Sequence, residues 1–151
     1  MTASILGVVP AIQALAATLR EAIAEADENI RVIVGALGDV EDDDFIMLSA
    51  PTEGGAGAMI RHARSDQGHL QSAELDIVVL ISTYSAERDI EARMTRAQAM
   101  LELFVQQVVD DATLDGTVSV ADIGDNGQLS TIDDQHGCAV EIALTVACEI
   151  Y

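Results

Sequence analysis

The chain has 151 residues, half of them apolar but only 3% aromatic, so its core has to be built from Ala, Val, Ile and Leu rather than from rings. All seven basic residues are Arg, and against 26 Asp and Glu they leave a formal net charge of −19. Such a surface repels phosphate backbones, and the absence of any Lys removes the P-loop lysine and any Schiff-base lysine.

The length is that of one domain, and the expectation is a single domain over residues 1–151. No apolar run reaches the ~18 residues of a membrane span. Pro10 and Gln13 interrupt the N-terminal apolar stretch, and no basic region precedes it, which argues against a secretory signal. From Val8 to Ala26 the spacing of Val8, Ile12, Leu15, Leu19 and Ile23 predicts a helix, with Pro10 tolerated only in its first turn. Ile30–Val34 reads as a strand stopped at Gly35, and an acidic loop through Asp42, Asp43 and Asp44 leads to a second strand, Phe45–Ser49. Residues Pro51 to Gln71 have no sustained period and contain Gly54, Gly55, Gly57 and Gly68, so the segment is expected to be a long loop or an extended hairpin with frayed ends.

Glu74–Thr83 is a polar-framed run of branched residues, the pattern of a central strand. After Tyr84-Ser85-Ala86 the period changes. Ile90, Met94, Ala97, Leu101, Phe104, Val105 and Val108 share one helical face, with Ser85 placed to cap it and Glu87 and Asp89 in its first turn. Thr117–Ala121 alternates as a strand, Gly124-Asp125-Asn126-Gly127 signals a hairpin turn, and Gln128–Asp133 returns. A further turn at Asp134–Gly137 precedes a long strand ending at Ile150. The predicted fold class is α+β, two helices packed on a mostly antiparallel sheet in the order α-β-β-(loop)-β-α-β-β-β. Cys138 and Cys148 fall on one strand about 33 Å apart, at ~3.3 Å per residue, so they are expected to stay unbridged.

Several chemical motifs are approached and missed. Asp122–Asp133 places Gly127 at the sixth position of a calcium loop, but Gly124 stands at the third and Asp133 at the twelfth, and the flanks are strands. Gly54-Gly55-Ala56-Gly57 lacks the third glycine of a dinucleotide-binding turn, because residue 60 is Ile60. His62, Asp66, His69 and His136 have no zinc spacing, and no nucleophile elbow exists. The expectation is therefore no catalytic, cofactor or metal site, and no enzyme.

Particular stretches resemble a known family. Glu74-Leu75-Asp76-Ile77-Val78-Val79-Leu80 followed by Ser85-Ala86-Glu87, the passage Leu114-Asp115-Gly116-Thr117-Val118, and the end Asp133-Asp134-Gln135-His136-Gly137 … Cys148-Glu149-Ile150-Tyr151 resemble the tail terminator proteins of long-tailed (siphophage) bacteriophages. The resemblance implies a six-membered ring of identical subunits that caps the tail tube, stops its polymerisation and offers a head-joining surface. Its partners would be further copies of itself, the tail tube protein and a head–tail connector protein. DNA would pass through without specific binding, no membrane would be involved, and the place would be the virion tail, assembled in the host cytoplasm. Arg61, His62, Arg64, His69, Asp42, Asp43 and Asp44 are the expected assembly surface, as the concentrated charges of the two irregular segments. Two other readings stand beside it: another head–tail joining protein of the neck, and a small-molecule-binding α+β domain using residues 51–71 as a lid.

Overall fold

The computed structural model describes residues 8–35, 44–50, 57–66 and 69–150. The fold is the predicted α+β class, with two helices on one face of a mostly antiparallel six-stranded sheet. In chain order the elements are α1 (Val8–Glu25), β1 (Arg31–Val34), β2 (Phe45–Leu48), β3 (Ala58–Asp66), β4 (His69–Ser85), α2 (Ile90–Asp110), β5 (Val120–Asp134) and β6 (Gly137–Ile150). The sheet runs β1-β2-β4-β6-β5, and β3 pairs with β4 beyond the end of β2. Only β1 and β2 are parallel.

The central position of β6 follows from its strict alternation. Val140, Ile142, Leu144, Val146, Cys148 and Ile150 all point into the core beneath the helices. Leu75, Ile77, Val79 and Ile81 of β4 do the same beside it, since directly paired residues share a face. Above them lie Ile12, Leu15, Leu19 and Ile23 of α1 and Ala97, Met100, Phe104 and Val108 of α2. The buried stripe of α2 is rotated from the expected one. Met100 is buried, Met94 is exposed, and Leu101 and Val105 sit at the margin. A second, smaller cluster of Ile33, Phe45, Met47 and Ala50, with Val78 and Leu80 against it, lies on the other face at the β1–β2 end.

One local expectation changes at the start of α2. The cap of α2 is Asp89, whose carboxylate accepts from the Ala92 amide at 3.1 Å. Ser85 instead accepts from the Glu87 amide, making a turn ahead of the helix. Of the two forms expected for Pro51–Gln71, residues 58–66 and 69–71 take the extended hairpin. They pair Ala58–Arg61 with Ile77–Glu74, because β4 continues past the end of β2, whose pairing stops at Val79, and leaves that flank open. Residues 51–56 lie outside the described ones.

The Gly124–Gly127 turn is overturned as well. Val120–Ile123 and Gly127–Asp134 both pair with β6 in one direction, so β5 is a single strand with an irregularity where the hairpin was expected. The step from Ile123 to Gly127 faces the step from Val146 to Leu144, so β5 carries surplus residues there, as in a bulge. The glycines suit that crowding, since a Cβ on Gly124 would stand 3.1 Å from the Thr145 carbonyl oxygen. The turn at Asp134–Gly137 forms as expected. Gly137 is held at φ +154°, its Cα side facing the Ser85 carbonyl too closely for any Cβ.

Candidate functional site

Arg61, His62 and Arg64 lie on β3, where Arg61 is opposite Glu74 and Arg64 opposite Ser72, and His69 opens β4 opposite Asp66. Asp42 and Asp43 lie outside the described residues. Asp44 is part of an internal network instead of a solvated acidic turn.

That network joins four parts of the fold. Arg96 of α2 binds Asp44 through Nε at 2.8 Å and Glu28, after α1, through Nη1 at 2.9 Å. The hydroxyl of Thr83, at the end of β4, donates to the other Asp44 oxygen at 2.7 Å and accepts from Arg93 Nη1 at 2.9 Å. Burial would lower the Arg96 pKa, but hydrogen bonds and charge attraction from Asp44 and Glu28 outweigh it and hold the guanidinium above its ordinary value. Two cations and two carboxylates balance, and every group has a partner. The arrangement clamps α2 to the sheet and leaves no group poised for proton transfer.

The helix-free face of the sheet is different. Because paired residues share a face, Glu74 and Asp76 of β4, Asp122 of β5, and Glu141 and Glu149 of β6 all point to the side away from α1 and α2. Between them stand the short Ser82, Ala139, Ala143, Thr145, Ala147 and Ser130, and, on the same face, the larger Val78, Leu80, Val120, Gln128 and Ile132. Strands β4, β5 and β6 contain no Arg or Lys. Among the described residues no helix or strand covers this acidic wall. Sequence reasoning missed it, although the even spacing of Glu74 from Asp76 and of Glu141 from Glu149 was the available signal.

Two open grooves complete the surface. One of about 390 Å³ lies between α2 and the β5 irregularity, lined by Leu101, Val105, Ile123, Leu129 and Leu144 among others. Another of about 450 Å³ lies between the helices, lined by Glu21, Glu25, Gln106 and Asp110. Among the described residues no three metal-ligating side chains converge. Cys138 and Cys148 are both buried and unbridged on β6, and burial, then the negative charge of Asp76, push the Cys148 thiol up to about 12. No family model matches the chain, and no curated protein matches its sequence.

Proposed function

We propose that the chain is a structural assembly protein of a long-tailed phage, working as a tail terminator: a ring of identical copies that caps the tail tube, ends its polymerisation and presents a surface to the head. The observation that supports this reading is the helix-free acidic wall of β4, β6 and β5. A ring that orients this face inward has a lumen in which five carboxylates per copy stand among small and apolar side chains. Such a lumen repels a passing polyanion and gives it nothing to grip. The helices, which together carry a net charge of only −2, then face outward.

The reading is tested by incubating the purified protein with polymerising tail tube protein. Closed rings in negative-stain micrographs and shorter tubes bearing a density at one end are expected. Tubes of unchanged length, with the protein monomeric in sedimentation velocity at every concentration, would overturn it.

A further inference from the structure

Besides the four-residue β1, two long strands of the sheet, β3 and β5, each pair on one side only among the described residues. Among the described residues β3 pairs with β4 alone, and β5 pairs with β6 alone. Unpaired strand edges are templates for another chain. These two edges differ in charge. By sequence, strand β3 has Arg61 and Arg64 against Asp66, formally +1, with His62 besides and Glu74 opposite Arg61, whereas β5 has Asp122, Asp125, Asp133 and Asp134 and no Arg, formally −4, with Arg88 meeting Asp133. Each also exposes large apolar side chains, Met59 and Ile60 on β3 and Val120, Leu129 and Ile132 on β5. Neither edge carries the Pro or Lys that commonly blunts one.

Strand direction adds an independent constraint. Strand β3 is antiparallel to β4, β4 to β6 and β6 to β5, so β5 runs opposite to β3. A second copy placed by rotation about an axis along the strands therefore sets its β3 antiparallel to the first copy's β5. The alternation β3-β4-β6-β5 then continues across the boundary without a break.

We propose that copies of this chain associate head to tail, the cationic β3 edge of one pairing with the acidic β5 edge of the next in a continuous antiparallel sheet. The contact joins unlike surfaces, so it closes into a ring when the rotation per copy divides a full turn. The nine residues of β3 offer an edge of about 30 Å. Charge matching fixes the partner edge, main-chain hydrogen bonds supply the contact, and Met59 and Ile132 lie on the same sheet face as the acidic wall to bury apolar area between copies. The inference rests on the ring-forming reading and specifies the surface through which the ring forms.

A charge swap tests it. R61E/R64E reverses the β3 edge, and T131R/I132R places cations on exposed positions of β5. Each variant alone, shown folded by circular dichroism, is expected to associate roughly a hundredfold more weakly than the wild type in sedimentation velocity. An equimolar mixture of the two is expected to associate again, since every contact is then either unaltered or Glu against Arg. Variants that assemble as the wild type does, or a mixture that stays monomeric while the wild type forms rings, would overturn the edge pairing and leave the ring reading standing. A wild type that is monomeric at all concentrations overturns both. Hydrogen exchange on the unmutated protein gives a second readout. Amides of 58–66 and 127–134 should slow on assembly, and unchanged exchange there in assembled protein would sink the pairing.

Discussion

Thr83 is fully buried, and its one hydroxyl links Arg93 to Asp44. Replacing it with Val keeps the shape and removes both bonds, leaving two charged groups short of a partner. Thr83→Val should cost about 1–3 kcal/mol, read as a lower urea midpoint at unchanged slope. Asp111 acts at the other end of α2. Its carboxylate accepts from the amide of Asp115 at 2.6 Å and from the hydroxyl of Thr113 at 2.8 Å, and these bonds hold its pKa below the ordinary carboxylate value. They support a turn in which Leu114, Asp115 and Gly116 all have positive φ, and which buries Leu114. A depressed folded pKa means the stabilisation is present above the unfolded value of about 3.9 and is lost as pH falls through the folded one. Asp111→Asn should therefore melt lower than the wild type at neutral pH by a small margin, reduced by solvent screening because the group is exposed. The margin should close as the pH is taken well below 3.9. A margin that widens in acid would contradict the assignment. The thiols give a simpler test. Neither Cys138 nor Cys148 should react with a thiol reagent at pH 8 in the native protein, and both should react after unfolding.

Among elements, α2 is the one the core depends on most. It buries Phe104, one of two Phe in the chain and among the largest of the fully buried side chains, in a core otherwise made of aliphatic groups. Small neighbours cannot refill a ring-sized space, so Phe104→Ala should cost about 3–5 kcal/mol in chemical unfolding. Phe104→Leu, which keeps most of the volume, should cost well under half of that. Similar losses from both variants would mean that the helix can shift to close the gap. The β5–β6 hairpin is anchored at its turn by Tyr84, whose hydroxyl donates to the His136 carbonyl at 2.9 Å, and by Arg88, whose guanidinium meets Asp133 at 2.9 Å. These contacts tie the connection before α2 to the far hairpin.

At the scale of the molecule, a charge of −19 on one chain is self-repulsion that the core must overcome. Raising ionic strength from ~0.01 M to ~0.15 M shortens the screening length from ~30 Å to ~8 Å. The melting temperature should rise over that range, measured at a concentration where the protein is dilute and unassembled. A fall would mean that ion pairs such as Arg96 with Asp44 and Glu28 outweigh the repulsion.

The sequence alone determined the helices, because 3.6-residue periodicity in α1 and α2 is local and Pro10 marks an early turn. It determined the central place of β6 as well, since a strand with a buried residue at nearly every second position has to be covered. Tertiary structure decided what local signals could not. Asn126-Gly127 carries a hairpin signal, but β6 offers one long partner, and pairing along its length outweighs a turn that would leave half of it bare. Residues 58–66 and 69–71 lack a period, yet they form strands because β4 extends past β2 and leaves that flank open. Asp44 reads as a solvated acid next to Asp42 and Asp43. Only the packing of α2 against the sheet brings Arg96 to it across 52 positions of sequence. The acidic wall follows the same rule. Each carboxylate is visible in the sequence, but the register of β4, β6 and β5 decides that all five share one face. Register is a property of pairs of strands, and no single stretch of chain contains it.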